Sequence, residues 1–197
     1  MGFDLSGMKP TVNTEPSELV IKVKKDWFIN YEALNEGEKN QYQAENSKWE
    51  EENPGIYFRA NVWGWRPLWR YVYSLCSDIL TEEEYDSCTY NDGIEISEVK
   101  AFAISAILFK ALKEGEVEAA ILLEKAHNDA LPDEDCKYCE EGVRVMKRDD
   151  DTEEEITCNS CDGTTKVRLF STNYGTSVDH VKRFATFAKE SGGFTVW

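Results

Sequence analysis

Positive charge is in short supply. Only 22 Lys and Arg stand against 38 Asp and Glu, a net of −16. A surface of that sign repels nucleic acid and anionic lipid, and suits a basic partner, a cation or plain solubility. A sharper version of the same idea is mimicry of nucleic-acid charge, which would occupy a DNA-binding enzyme. Histidine is rare too: His127 and His180 are the two in the chain, each close to an aspartate, Asp129 and Asp179. No Ser-His-Asp or Cys-His set can be assembled from them, because no nucleophile elbow is present. Phosphate-loop and dinucleotide fingerprints are missing as well. The longest apolar stretch, Ala101 to Phe109, is far too short to span a bilayer. Met1-Gly2-Phe3-Asp4-Leu5 has no basic region followed by an apolar run, so a cytoplasmic location is expected and a membrane partner is not. In that compartment thiols stay reduced, and paired cysteines more often mean metal than disulfide.

What is present is a globular composition. The 197 residues are 41 % hydrophobic and include six Trp, nine Tyr and nine Phe, enough aromatic area to build a core. No internal repeat is apparent. Residues 1–15 read as an extended lead-in, and Leu19-Val20-Ile21-Lys22-Val23 as a short β-prone run. Residues 31–54, rich in Glu, Asn, Gln and Lys, read as a surface insertion with some helix. Pro67 suits the first turn of a helix, with Leu68, Val72, Leu75 and Ile79 on its buried stripe. Tyr90-Asn91-Asp92-Gly93 is a turn signal. Ser97 is a fitting N-cap for a second helix, whose inner face is expected at Val99, Phe102, Ala103, Ala106, Phe109 and Leu112. Gly115 sits where a helix C-cap belongs, and a third helix follows from Glu116. Lys166 to Phe170 is β-prone. A last helix starts near Ser177, buries Val178, Val181, Phe184, Ala185 and Ala188, and stops at Gly192-Gly193. Phe194 to Trp197 is expected as a final strand or a docked tail.

The strongest chemical signal is Cys136-Lys137-Tyr138-Cys139, eighteen residues, then Cys158-Asn159-Ser160-Cys161. A two-residue gap lets both thiolates of a pair face one ion from a tight turn, and two such turns complete a tetrahedral site. Gly142 and Gly163 follow the pairs at similar offsets and permit sharp turns. Between the pairs, Val143 to Met146 alternates like a strand, Asp149-Asp150-Asp151 can turn, and Glu154 to Thr157 leads back. This is the layout of a zinc ribbon. A four-sulfur site favours zinc or iron, zinc being the commoner single ion. The competing reading is two redox pairs, which belong at helix N-termini behind strands. Four protein ligands leave no open position for substrate, which argues for structure over catalysis. Acidic runs flank the site, and phosphate contacts need a local excess of Lys and Arg, so nucleic-acid binding is not expected. Cys76 and Cys88 have no partner at ligand spacing and read as buried thiols.

A second candidate lies in the aromatic-rich segment Tyr57 to Ile79. Arg59, Arg66 and Arg70, with Asn61, Trp63 and Trp65, can line an anion or nucleotide pocket, since Arg on an aromatic plane makes a ligand platform. The plainer alternative is that these arginines pair with nearby carboxylates while the tryptophans fill the core.

Three stretches carry a resemblance. They are Met1 to Gly7 (MGFDLSG), Tyr57 to Trp69 (YFRANVWGWRPLW), and Val178 to Phe194 with its Ser191-Gly192-Gly193-Phe194 ending. Together with the cysteine pairs, they resemble a group of small phage-encoded proteins of unassigned function, over most of the chain except Glu15 to Asn53. The resemblance implies a viral product in a bacterial cytoplasm and carries over no activity.

The expectation is therefore an α+β fold, mainly helical, with an inserted four-cysteine zinc ribbon. Residues 1–131 supply a helical core, 132–170 the ribbon, and 171–197 a helix and tail that complete the core. The expected function is a non-enzymatic, zinc-containing accessory protein of phage origin that binds a host or phage protein and inhibits a host factor through an acidic surface. The alternative is a small-ligand or nucleotide-binding protein, or an enzyme, built on Arg59, Arg66, Arg70 and the tryptophans.

Overall fold

The computed structural model describes residues 2–148 and 152–197, so the turn expected at Asp149 to Asp151 lies outside the described residues. The fold is α+β, with eight α-helices and eight short strands among those residues. The chain divides into two compact units. One contains residues up to Ala119 together with Thr176–Trp197, and the other is Ala120–Gly175.

The larger unit begins with β1 (Gly2–Gly7), then α1 (Glu18–Lys25), α2 (Trp27–Glu32) and α3 (Glu36–Glu52). It continues through β2 (Tyr57–Asn61), α4 (Val62–Cys76), α5 (Glu82–Tyr90), β3 (Glu95–Ile96) and α6 (Glu98–Glu114). The division falls inside α7 (Glu116–Ala130). The smaller unit holds β4 (Glu134–Asp135), β5 (Val143–Lys147), β6 (Glu153–Thr157), β7 (Lys166–Val167) and a 3-10 turn at Phe170–Asn173. The larger unit then resumes with α8 (Val178–Glu190) and β8 (Phe194–Val196).

The residues expected as a lead-in form an inner strand. β1 pairs antiparallel with β2 on one side and with β8 on the other, in a sheet ordered β2-β1-β8-β3. Alternation along β1 points Phe3 and Leu5 into the core, as the period-2 geometry of a strand requires. Above them Phe3 stacks on Trp65 at 5.7 Å, and Trp65 stacks on Trp69 at 5.4 Å. Phe184 meets both indoles edge-on. Each buried indole finds a carbonyl: Trp65 Nε1 donates to Cys88 O at 2.8 Å and Trp69 Nε1 to Tyr85 O at 3.1 Å. Those acceptors belong to α5, whose Thr81–Glu84 capping box is complete and was not expected from periodicity. Fully burying each such large apolar side chain contributes about 1.5–3 kcal/mol.

Several local expectations need correction. Leu19 to Val23 is helical, because Ser17 caps the turn by accepting from Val20 N–H, and Val20 and Val23 fall three apart on one buried face. They join Leu34 and Tyr42 in a small satellite core covered by Leu19, Tyr31 and Trp49. Residues 36–52 are helical throughout, opened by a capping box of Asn35 and Glu38. The helix expected from Pro67 starts at Val62 with Asn61 as its cap, so Pro67 lies inside it. On α6 the buried face is Ala101, Ile104, Ser105, Leu108 and Ala111. Val99 and Phe102, expected inward, are 78 % and 59 % exposed. That helix is apolar around most of its circumference, so spacing alone does not choose the face that meets α8. The β-prone run at Lys166 to Phe170 keeps only two residues of strand before the 3-10 turn. Val178 is exposed at the start of α8. The Ser97 and Ser177 caps, the Gly115 C-cap and the Phe194 strand stand as expected.

Backbone segments approach closely at Gly55 and Gly7. A Cβ on Gly55 would lie 2.2 Å from Glu190 O, and one on Gly7 2.1 Å from Gly55 O. Beside them Asn53 is fully buried. Its Oδ1 accepts from Asn13 and Thr14 N–H, and its Nδ2 donates to Trp49 O and to Thr14. This hub fixes the segment after β1 to the end of α3. Gly55→Ala is expected to destabilise the protein by about 1–3 kcal/mol through overpacking against backbone. Gly175→Ala, where a Cβ would meet nothing within 4 Å, should stay within about 0.5 kcal/mol of wild type. Urea unfolding of the two variants checks the contrast.

Candidate metal centre

The smaller unit is made of two short ladders and two knuckles. β4 pairs with β7, and β5 with β6, so each ladder brings one cysteine pair toward the other. Cys136 N donates to Thr165 O and Cys158 N to Gly142 O, both at 2.8 Å, locking each pair to the loop that follows the opposite one. The chain leaves each pair through left-handed residues: Glu141 and Gly142 at φ 48° and 86°, Asp162 and Gly163 at 48° and 78°. Gly142 has no alternative, since a Cβ there would lie 2.4 Å from Gly163 O.

The four Sγ atoms of Cys136, Cys139, Cys158 and Cys161 lie within 4.8 Å of one another. Cys136 and Cys158 are 3.9 Å apart, and Cys139 and Cys161 are 3.6 Å apart. These separations exceed an S–S bond of about 2.0 Å, and all four cysteines are free. Burial disfavours the Cys158 thiolate, but N–H groups of Ser160 and Cys161 aimed at the sulfur outweigh it and bring its pKa to about 6. Cys139 moves the other way, to about 12, through burial and the neighbouring Cys136 and Cys161 sulfurs. The cluster is thus four soft donors with backbone amides aimed at sulfur, an arrangement able to hold a metal ion.

Little else holds this unit together from inside. Among its described residues, Cys158 and Cys161 are the only buried side chains. All five residues of β5 are exposed. With so few buried side chains the segment gains little from apolar burial, and small domains of this kind use staples such as a metal.

The arginine-tryptophan set does not assemble into one pocket. Trp65 is fully buried, with its indole N–H committed to Cys88 O, so it is a core residue. Asn61 spends its side chain capping α4 through Gly64 N–H. The Arg66 guanidinium lies 6.0 Å from the Tyr90 ring centroid, and Arg70 is exposed on α4. Of the five, Arg59 lines a cavity of about 490 Å³ between α3, β2 and α8 that also includes Lys182, Arg183, Glu50, Glu51 and Asp179. Arg59 is 3.6 Å from Asp4, which also accepts from Tyr57 OH. Burial, then Asp4, pushes the Tyr57 hydroxyl up to about 12. The cavity residues on α8 were not among the candidates, because Lys182 and Arg183 read from sequence as an ordinary exposed helix face. Cys76 and Cys88 are fully buried, as expected, and burial raises both thiols, Cys76 to about 11.

Among the described residues no helix is long and apolar enough to cross a membrane. No protein family, curated protein or solved structure matches this chain.

His180 backs the cavity by stacking on Phe58 at 5.5 Å, with Thr176 Oγ1 3.2 Å from its Nδ1. Burial, reinforced by Arg183, lowers its pKa below the ordinary 6.5. On acidification the unfolded chain therefore takes up this proton before the folded one does. Its effect on stability is nil at high pH, turns unfavourable as pH falls through about 6.5, and levels off below the folded pKa. Comparing unfolding free energies at several pH values between wild type and His180→Gln should show a shallower acid loss in the variant.

Proposed function

We propose that residues 132–170 form a zinc ribbon, and that the chain is a non-enzymatic binding protein whose acidic surface meets a basic protein partner. The observation that carries the metal assignment is the sulfur geometry. A tetrahedral ion with metal–sulfur bonds of about 2.3 Å spaces its ligands by roughly 3.8 Å, against 3.9 Å and 3.6 Å for the two closest cross-pairs. Zinc fits because the donors are four thiolates on two knuckles, a set typical of closed structural sites. With all four positions taken by protein, the ion supplies folding energy and no reactive water.

Charge supports the binding reading. Residues 120–175 contain 14 acidic and seven basic side chains, a field that draws cationic surfaces and repels nucleic acid. The similarity of the N-terminal, Trp-rich and C-terminal motifs to small phage proteins favours an accessory role in an infected bacterium, acting on a host factor. The small-ligand alternative now rests on the cavity at Arg59, Lys182 and Arg183, since Trp65 and Asn61 are otherwise engaged.

Purified protein should carry one zinc per chain by elemental analysis, and Cys158→Ser should lose it. Chelation should abolish amide-exchange protection across residues 134–167 while leaving the emission of the buried Trp65 and Trp69 intact. Metal-free protein with full protection in that segment, or bound iron, would refute the zinc assignment. Capture from bacterial lysate should return a basic protein released by salt, and recovery of nucleic acid would contradict the charge reading.

A further inference from the structure

Beyond Val143 the outer edge of β5 is unpaired among the described residues. In an antiparallel pair, alternate residues turn their N–H and C=O toward the partner. Cys158 N donates to Gly142 O at 2.8 Å, and Arg148 N donates to Thr152 O at 2.9 Å. The even-numbered residues of β5 therefore face β6, and the odd-numbered ones face outward. Val143 spends its outward groups on Glu140, through Val143 N–H to Glu140 O at 2.8 Å and Glu140 N–H to Val143 O at 3.1 Å. Val145 and Lys147 have no such neighbour, for the sheet contains β5 and β6 alone among the described residues. Their backbone groups form a template for a further strand.

The side chains beside this edge are apolar and anionic. Val143 and Val145 share one face, opposite Thr157 and Glu155 of β6. Tyr138 and Val145 are 69 % and 60 % exposed. They border a hollow of about 970 Å³ together with Val143, Glu140, Glu141 and Glu155. Lys137 and Arg144 also reach it, Arg144 being tied to Asn159 Oδ1 at 2.7 Å. The remaining cations on these ladders are consumed internally: Lys147 with Glu153, Arg148 with Glu154, Lys166 with Asp135, Arg168 with Asp133. No ion pair engages Glu140, Glu141 or Glu155 among the described residues.

We infer that the outer edge of β5 binds an extended Lys- and Arg-bearing segment of a partner protein as a third strand. Its backbone pairs with Val145 and Lys147. Apolar side chains at alternate positions cover Tyr138, Val143 and Val145, and cations meet Glu140, Glu141 and Glu155. Main-chain bonds then supply affinity and the alternating side chains supply selectivity. The inference rests on the reading of this unit as a metal-held acidic binding module and names its partner's chemistry.

The test uses full-length, zinc-assayed protein against a random octapeptide library. Lys or Arg alternating with Val, Ile or Thr should be enriched, and a selected peptide should shift the backbone amide signals of Val145 and Lys147. Val145→Pro removes an outward N–H that β6 does not use, a change edge strands tolerate. It should weaken that peptide at least about tenfold, a loss of roughly 1.4 kcal/mol, with zinc content unchanged. The triple variant Glu140→Gln, Glu141→Gln, Glu155→Gln should weaken it as much and flatten its salt dependence, and serves if the proline variant fails to fold. No enrichment, enrichment of acidic or proline-rich peptides, or amide shifts confined to other residues overturns the inference. A preparation lacking zinc marks failure of the metal reading, whereas zinc-replete protein that selects no basic peptide marks failure of this one.

Discussion

Four sulfur atoms held within 4.8 Å of one another do for residues 120–175 what a hydrophobic core does for the rest of the chain. A cluster of thiols without a cation is a poor adhesive, since removing protons from neighbouring sulfurs builds like charge. A divalent ion reverses the sign of that interaction and makes each knuckle a condition for the other. The surrounding ladders contribute hydrogen bonds and exposed ion pairs, and exposed pairs are individually worth little. With an ion bound, the order of the two ladders, and hence any surface they present, would follow from occupancy of the sulfur cluster.

The larger unit solves the same problem by burial. Its sheet collects three stretches distant in sequence: MGFDLSG as β1, the YFRAN strand leading into the Trp-rich α4, and the FTV strand after Ser191-Gly192-Gly193. Distant in sequence, these three stretches touch one another in the fold. Gly7 and Gly55 are fixed by backbone passing within reach of a Cβ, and Trp65 by packing against Phe3 and Phe184. A motif of this kind marks a junction of main chains and rings, and it carries no implication of a ligand at Trp65.

The cysteine site was legible because metal ligation needs specific residues at specific spacings, and few other uses of CxxC-x18-CxxC compete. Helix ends were legible for a similar reason: Ser97, Gly115 and Ser177 each meet a local hydrogen-bonding or φ requirement. Faces were harder. The rotation of α6 is decided by what α8 presents, and a helix apolar on most sides gives no preference of its own. Leu19 to Val23 misled because β-branched residues favour strands only weakly, and a serine cap with two buried valines outweighs that preference. The cavity at Arg59 escaped notice because Lys182 and Arg183 lie far away in sequence and join it only through β2 and α8.

The position of β8 has a consequence for how the chain comes off the ribosome. All four cysteines are synthesised before Phe194 to Val196, and their partners in the smaller unit all lie nearby in sequence. β1 precedes β8 by most of the chain, yet it must wait for β8 to occupy the slot between it and β3. Pairings of such sequence separation are slow to form. During translation the four-cysteine segment is thus free to close while the larger sheet is still incomplete, leaving one side of β1 uncovered until β8 has emerged.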